Sequence, residues 1–238
     1  MTGILIGVGA YAFTPAEIEA RVAEVAPHRT HRMGQHDPAI PARAYTTVAG
    51  GEVATGLTAV EGLNARIAWG LGVLDAPIGA VFSAVNDDRN KPDHSKLSHV
   101  TLLEGEYCAN RRVVFQYLPI PIVSDRWWVI EQRINTRIAE ASEGRVREMV
   151  WVKLDDGTPH LDDGSKALVS HAVQAESNDG AWWLVALDDH HTLVEFWALS
   201  DPGGNIPAGL AGQFASGSIR DTFAMMGALA KKGPSCKL

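Results

Sequence analysis

The chain has 238 residues, and its composition excludes several classes of protein. Hydrophobic residues make up 46% of the chain and charged residues 21%, which is typical of a soluble globular protein with a buried core. The net charge is −7 and the basic residues are scattered, so a nucleic acid is not expected as a partner, because binding to phosphates needs clustered Lys and Arg. No apolar run approaches the roughly 18 residues that a membrane-spanning helix requires.

The first third of the chain predicts a helix, a loop and two strands. A Thr cap, a Pro and a Glu three residues after the cap make Thr14-Pro15-Ala16-Glu17 a helix start. This helix ends at Pro27, and the polar residues from His28 to Pro41 form a loop. Strands are predicted over Glu52 to Val60 and Ala65 to Leu74.

The middle of the chain predicts a series of strands separated by turns. Asp75-Ala76-Pro77 first introduces a short helix that reaches Val85. Short turns between consecutive strands require antiparallel pairing. The expected strands are His99–Leu103, Arg111–Leu118, Trp127–Arg137, Arg145–Leu154, Lys166–Glu176, Ala181–Leu187 and Thr192–Leu199, with Asn178-Asp179-Gly180 as one of the hairpin turns.

The last quarter of the chain predicts a strand, a tight turn and a long helix. Apolar and polar residues alternate from His191 to Leu199, and Asp201-Pro202-Gly203-Gly204 then stops the strand. Pro207 suits the first turn of a helix, and apolar residues recur at helical spacing from Ile206 to Lys231. This helix must cover one face of the antiparallel sheet. The expected fold class is therefore α+β, in a single globular domain.

The two cysteines and the N-terminus bear on the compartment. Cys236 lies near the C-terminus in a segment expected to be loose, so no disulfide with Cys108 is predicted, and a reducing compartment follows. The segment MTGILIGVGAYAF is apolar but lacks a basic n-region and a small-x-small cleavage site, so we interpret it as mature sequence. The predicted location is cytoplasmic.

Several short motifs resemble cofactor or metal sites without completing one. Gly7-Val8-Gly9 follows an apolar run as in a dinucleotide-binding turn, but the third Gly and the later acidic residue are missing. His28, His31 and His36 share one loop with Asp37 but lack a fourth ligand in a known arrangement. We therefore predict neither a cofactor nor a metal at these places.

Calcium and nucleophile chemistry are not indicated either. The two Asp-Asp-Gly segments at Asp155 and Asp162 lack the alternating carboxylates of an EF-hand loop, and Asp-Gly is ordinary turn chemistry. Gly-x-Ser-x-Gly does not occur, and Cys108 has no nucleophile signature around it. No catalytic residue is predicted.

Tryptophans and two polar residues within apolar strands are the more informative features. Trp127-Trp128 and Trp182-Trp183 lie on predicted strands, and the two rings of each pair must point to opposite faces of the sheet. These rings serve either ordinary core packing or an aromatic-lined cavity. Gln116 and Glu131 either face solvent or point inward and orient a ligand.

Three segments together resemble the START family of lipid-transfer domains. They are Val123-Ser124-Asp125-Arg126-Trp127-Trp128-Val129, Asp201-Pro202-Gly203-Gly204-Asn205-Ile206-Pro207, and Asp75-Ala76-Pro77 with the VFSAVND that follows. The resemblance covers roughly Glu52 to Lys232. It implies a helix-grip fold, in which a curved antiparallel sheet of about eight or nine strands wraps a long C-terminal helix. Short helices and an N-terminal helix complete it, with residues 1–41 as an N-terminal arm and residues 42–238 as the START-like domain.

The resemblance also implies an apolar tunnel beneath the C-terminal helix and no cofactor. The implied ligand is a lipid or another hydrophobic small molecule, for transfer or for sensing, and a transient membrane contact is compatible with it. One wall is expected from the helix and the other from the strand that carries Trp127, Val129 and Glu131. The predicted lining residues are Gln116, Trp127, Val129, Glu131, Leu210, Phe214, Thr222 and Met226, with Met225 beside them.

Departures from the family pattern leave the ligand class open. Members of the family often carry Arg at the place of Glu131, and some carry an acid at the place of Gln116. The alternative function is an aromatase or cyclase acting on a polyketide-like substrate, with Glu131 as its acid or base. A third interpretation is a regulatory module whose tunnel has collapsed and whose surface binds a protein. Gly209, Gly212 and Gly217 predict a helix that bends easily, with the Asp-Pro-Gly-Gly turn as its pivot.

Overall fold

The computed structural model describes residues 13–60, 66–204 and 208–238, and the side chains of residues 93, 94 and 208–218 are left out of the description. Within these residues the helices are α1 (Pro15–Val25), α2 (Arg43–Ala49), α3 (Ile78–Val85), α4 (Lys91–His94), α5 (Thr136–Ala141), α6 (Asp163–Val169) and α7 (Ala208–Lys232), with 3-10 turns at Ala26–His31 and Thr158–His160. The strands are β1 (Ala54–Ala59), β2 (Arg66–Leu74), β3 (His99–Glu104), β4 (Arg111–Leu118), β5 (Arg126–Ile134), β6 (Val146–Lys153), β7 (Val173–Gln174), β8 (Ser177–Ala186) and β9 (Thr192–Asp201).

The nine strands form one curved sheet in the order β1-β2-β9-β8-β6-β5-β4-β3. All neighbours on this path pair antiparallel, and the two-residue β7 adds a parallel pairing to β5. β1 pairs with β2, and β2 pairs with β9, so the first two strands of the chain lie next to its last strand in the sheet. The predicted α+β class and the antiparallel sheet are confirmed.

The sheet has two faces, and different elements cover them. Helices α3 and α7 pack on the face that we call the inner face, where they share one apolar cluster with side chains from β4, β5, β6, β8 and β9. On the opposite, outer face, α1 and α2 cover the half of the sheet around β2, β8 and β9. Residues around α6 cover the half around β4 and β5.

A groove made by two glycines seats the C-terminal half of α7 on β2. A Cβ added at Gly70 would lie 2.5 Å from Ile219 Cγ2 and 3.0 Å from Phe223 Cε2. One added at Gly72 would lie 2.9 Å from Phe223 Cδ1. Real Cβ atoms do not approach other carbons so closely, so the missing side chains allow the helix to contact the strand backbone. Lys231 then donates to Asp75 at the end of β2.

One expected strand is wrong, and four helices were not predicted. Lys166–Glu176 was expected as a strand, but its first residues belong to α6 and only two of its residues form β7. The cause is local, because Asp162 accepts a hydrogen bond from Ser165 N and thereby caps α6. The expected hairpin turn at Asn178-Asp179-Gly180 lies within β8. Helix α2 lies between the predicted loop and the first predicted strand, α4 lies in a segment for which no helix was predicted, and α5 begins at the end of a predicted strand.

The N-terminal arm packs on the outer face through both apolar and charged contacts. The capping box predicted at Thr14 is present, and Ile18 of α1 is buried. Arg29 and Arg32 donate to buried Glu195 of β9 at 2.7 and 2.8 Å. The arm thus covers the sheet on the side away from α7. The boundary expected between an N-terminal arm of residues 1–41 and a START-like domain of residues 42–238 stays a prediction.

A disulfide joins the two cysteines, contrary to the sequence prediction. Cys108 and Cys236 are bonded, with their Cα atoms 5.6 Å apart. The C-terminal tail is ordered against the end of α3 rather than loose, because Ser235 N donates to Asp87 and Leu238 N donates to Ser83. The argument for a reducing compartment from cysteine usage therefore fails, and the cytoplasmic location stays a prediction. Among the described residues, no helix combines the length and apolarity that a membrane crossing demands.

Candidate functional site

The alternation of side chains divides the tryptophans between the two faces of the sheet. On β5, Trp128 lies in the inner cluster and Trp127 in the outer one. On β8, Trp182 lies in the inner cluster and Trp183 in the outer one. The expectation that adjacent tryptophans point to opposite faces is confirmed, as the two-residue period of a strand requires.

Aromatic rings gather on the inner face beneath α7. Phe196 lies 4.6 Å from Trp182 and 5.8 Å from Trp151 between ring centroids, and Phe223 of α7 lies 6.1 Å from Trp182. Such spacings are those of favourable aromatic pairs. The inner face between the sheet and α7 is thus aromatic and apolar over most of its described area.

A buried polar cluster interrupts this apolar face at its β4–β5 side. Arg112 and Gln132 are direct cross-strand partners on β4 and β5, and both side chains reach Asp88, which follows α3. Asp88 accepts hydrogen bonds from Arg112 Nε at 2.6 Å, Lys91 Nζ at 2.6 Å and Gln132 Nε2 at 3.2 Å. Arg112 and Asp88 are almost completely buried. We call these four residues the polar cluster.

The charges of the polar cluster are balanced only when the neighbouring Asp87 is included. Arg112 and Lys91 carry two positive charges, and Asp88 and the adjacent buried Asp87 carry two negative ones. Burial raises the pKa of Asp88, but the attraction of Lys91 and Arg112 outweighs this, so its pKa lies below the ordinary value. Asp88 is therefore ionised at neutral pH.

One acceptor in the polar cluster lacks a hydrogen bond. Gln132 is 1% exposed, and its Oε1 has no hydrogen-bond partner in the described structure. A buried carbonyl without a partner costs about 1–3 kcal/mol, so such an atom is suited to receive a hydrogen bond from another molecule. The polar cluster can thus offer one acceptor to a hydroxyl or amide donor.

Gln116, predicted as a lining residue, supplies a second polar group on the inner face. Its Oε1 accepts a hydrogen bond from Trp128 Nε1 at 2.8 Å, and the two residues are cross-strand partners. The side chain is buried rather than exposed to solvent. Gln116 therefore points inward, and its expected role in orienting a ligand stays a prediction.

Trp127, Val129 and Glu131 do not lie where the sequence placed them. All three share one strand face, as expected, but it is the outer face, where Trp127 and Val129 pack with Leu161. Glu131 pairs there with Arg111 and Arg133. The prediction that these residues form the wall opposite α7 is wrong, because the register gives that wall to the even-numbered residues of β5.

The helix residues of the predicted site fall into two groups. Met226 is buried in the inner cluster and Met225 packs at its margin, while Thr222 is half-buried on the same half of α7. Leu210 and Phe214 lie outside the described side chains. The same part of α7 contains Gly209, Gly212 and Gly217, and the expectation that these glycines loosen the helix stays a prediction.

The two main segments that resemble the START family contact each other. Arg126 of the first segment is buried and donates from Nε to Pro202 O at 2.5 Å and from Nη2 to Gly203 O at 2.9 Å. Gly203 and Gly204 adopt positive φ angles of 65° and 66°, which explains the two glycines. Arg126 therefore clamps the turn that leads toward α7, and the expected role of this turn as the pivot of the helix stays a prediction.

The weak motifs of the sequence do not converge on a site. Asp37 pairs with Arg29 and Arg32, and His36 packs edge-on against Trp197. Asp162 serves as a helix cap. In the described ranges, no group of three His, Cys, Asp or Glu side chains is placed to hold a metal ion. Gly7-Val8-Gly9 lies outside the described residues.

Sequence reasoning missed the polar cluster itself. No role was predicted for the segment from Asn86 to His94 or for Arg112. The available signal was the alternation of side chains along the strand. Arg112 shares a strand face with Val114 and Gln116, and this face is the inner one. A charged residue in phase with inward apolar residues needs a buried partner.

Comparisons with known proteins identify the fold. No protein-family model matches the chain, and no curated protein matches its sequence. Among solved structures it is similar to human STARD10 (12% identity, 76% of this chain and 69% of that chain, TM-score 0.60). It is also similar to human StAR-related lipid transfer protein 5 (12%, 92% and 97%, TM-score 0.60) and to a STAR-related lipid transfer protein fragment from Xanthomonas axonopodis (21%, 74% and 93%, TM-score 0.59).

The chain therefore has a START-like helix-grip fold, as its sequence motifs predicted. At these identities the likeness concerns the fold alone. What the chain binds has to be argued from its own residues.

Proposed function

We propose that the protein binds a hydrophobic small molecule, of which a lipid is the simplest class, between the inner face of the sheet and α7. The observation that carries the proposal is the buried polar cluster set into an otherwise apolar and aromatic face. Solved proteins of the same fold include ones named as lipid-transfer proteins, which supports the proposal.

The energetics of such a site divide between apolar burial and one polar contact. Burying a hydrocarbon chain contributes about 25 cal/mol per Å² of apolar area removed from water, so most of the affinity needs no specific contact. Orientation needs a polar group, and Gln132 Oε1 is a buried acceptor without a partner. A ligand with a hydroxyl or amide donor at one end and hydrocarbon along its length fits both features.

A transient membrane contact fits the loop between β4 and β5. Ile122 in this loop is fully exposed and has a positive φ of 77°, an uncommon conformation for a β-branched residue. The loop is held at its base, because Asp125 accepts hydrogen bonds from Tyr117 Oη and Ile120 N. We propose that a fixed loop with an apolar tip lets the protein contact a membrane while it loads or releases a ligand.

The alternative proposal, a polyketide aromatase or cyclase, loses its candidate residue. Glu131 was the nearest acid or base, and it lies on the outer face between Arg111 and Arg133. No other described feature favours catalysis over binding, so binding is the function that we propose.

Native mass spectrometry with a matched pair of variants tests the proposal. Leu102 and Leu103 are adjacent on β3 and both half-buried, but Leu102 packs in the inner cluster and Leu103 in the outer one. The protein is incubated with host lipid extract and with a fluorescent fatty acid, and bound mass is recorded. We expect Leu102→Gln to lower occupancy and Leu103→Gln to leave it near the wild-type level.

Two results would contradict the proposal. One is the absence of any bound hydrophobic molecule under all loading conditions. The other is an equal loss of occupancy in both variants at equal thermal stability, which would place any ligand away from the inner face.

A further inference from the structure

The disulfide between Cys108 and Cys236 closes a ring of contacts around the polar cluster. Cys108 lies in the turn between β3 and β4 and has a φ of 67°, while Cys236 is buried in the C-terminal tail. The neighbour of Cys108, Ala109, accepts a hydrogen bond from Arg112 Nη1 at 3.1 Å. The turn that carries the disulfide thus also holds the central cation of the polar cluster.

The tail on the other side of the disulfide covers the segment that carries Asp88. Ser235 N donates to Asp87 Oδ2 at 2.6 Å, and Asn90 Nδ2 donates to Ser235 Oγ at 2.9 Å. Asn86 links the two sides, because its Oδ1 accepts from Arg112 Nη2 at 3.1 Å and its backbone O lies 3.2 Å from Cys236 Sγ. The tail is therefore a cover that one covalent bond fastens over the buried charges.

We propose that this disulfide is a redox-controlled clasp for the binding site. When it is reduced, the tail leaves residues 86–90, water reaches Asp88 and Arg112, and bound ligand exchanges faster. The part that concerns ligand exchange rests on the proposed function, whereas the opening of the tail does not.

A dithiol reductant supplies the chemistry. Its thiolate attacks Cys108 Sγ, which is half-exposed whereas Cys236 is buried, and Cys236 leaves as a thiolate that takes up a proton. The second thiol of the reductant then attacks the reductant's other sulfur, which is bonded to Cys108 Sγ in the mixed disulfide, and Cys108 is released as a thiol. The protein gains two electrons and two protons, and the reductant departs as a cyclic disulfide.

Hydrogen-exchange mass spectrometry of the ligand-free protein tests the clasp directly. Dithiothreitol can act only at this bond, because Cys108 and Cys236 are the only cysteines of the chain. We expect exchange in residues 83–91 and 233–238 to rise about tenfold or more on reduction, and exchange in α1 on the outer face to stay unchanged. The double variant Cys108→Ser and Cys236→Ser should exchange like the reduced protein and ignore dithiothreitol.

A second measurement links the clasp to ligand exchange. Release of a nitrobenzoxadiazole-labelled fatty acid to phosphatidylcholine vesicles is followed by fluorescence for the oxidised, reduced and double-serine proteins. Faster release from the last two supports the proposal. Unchanged exchange at residues 83–91 and 233–238 overturns the clasp, and unchanged release overturns its control of the site. If neither form binds any hydrophobic probe while the tail still opens, the proposed function fails and the clasp stands.

Discussion

Replacing Asp88 by Asn tests whether the polar cluster is a balanced buried unit. Asn keeps the size of the side chain but removes the charge that Arg112 Nε and Lys91 Nζ both approach to 2.6 Å. Removing one partner of a buried ion pair costs about 3–5 kcal/mol, because the remaining charge stays buried without compensation. With 238 residues and about 2.1 cal/mol/K of unfolding entropy per residue, this lowers Tm by about 6–10 °C.

The pH dependence gives this prediction a sign. The folded-state pKa of Asp88 lies below its value of about 3.9 in an unfolded chain, because its cations outweigh its burial. Its stabilising contribution is therefore fully present above pH 4 and is lost as the pH falls through the folded pKa. We expect the free-energy difference between wild type and Asp88→Asn to stay constant from pH 7 to pH 5 and to shrink below pH 4.

Urea unfolding followed by tryptophan fluorescence measures both quantities. Asp163→Asn is the control, because the Asp163 side chain is completely exposed and its 3.4 Å contact with Lys166 should contribute nothing measurable. A loss below about 1 kcal/mol for Asp88→Asn, or a loss equal to that of Asp163→Asn, would refute the argument that a buried charge pair is involved.

Three further predictions concern the elements around the site. Gly70→Ala should cost about 1–3 kcal/mol by forcing α7 off β2, while Gly164→Ala, with its nearest atom 3.7 Å away, should not destabilise; urea midpoints compare them, and equal midpoints would contradict the groove. Arg126→Lys should cost about 1.5–3 kcal/mol, because the single ammonium nitrogen of Lys cannot take the positions of both Nε and Nη2. Faster hydrogen exchange at residues 201, 203 and 204 would show the loosening, and unchanged exchange would argue against a clamp. Burial and the hydrogen bond to Asp125 raise the pKa of Tyr117 to about 12, so this group stabilises the fold at neutral pH and loses its contribution as the pH rises from about 10 through 12; ultraviolet titration against Tyr117→Phe measures it, and a pKa near 10 would contradict the hydrogen bond.

The fold could be predicted from the sequence because its signals are local. Alternation marked most strands, the glycines and proline after β9 marked its end, and helical spacing marked α7. The failure at Lys166–Glu176 is also local in origin, since a single Asp cap redirected an apolar run into α6. Alternation and helical spacing are hard to distinguish in a run of this length.

The candidate site was harder to predict, because the alternation of side chains shows which residues share a strand face but not which face of the sheet that is. The sequence correctly put Trp127, Val129 and Glu131 on one face but could not say which face meets α7. That choice depends on which elements cover each side, and the N-terminal arm covers the outer one. Asp88 and Arg112 lie 24 positions apart, and their pairing depends on how the segment after α3 lies against β4.

The contacts of α7 restrict how a ligand can enter the proposed binding site between the helix and the inner face of the sheet. Its C-terminal half is fixed by the glycine groove of β2 and by the disulfide that follows. Arg126 holds the turn that precedes it. Overcoming the packing of Phe223 and Ile219 would cost as much as a core disruption, so the whole helix does not lift as a rigid lid. We therefore expect exchange through the covered end near the polar cluster, where a single covalent bond holds the tail in place.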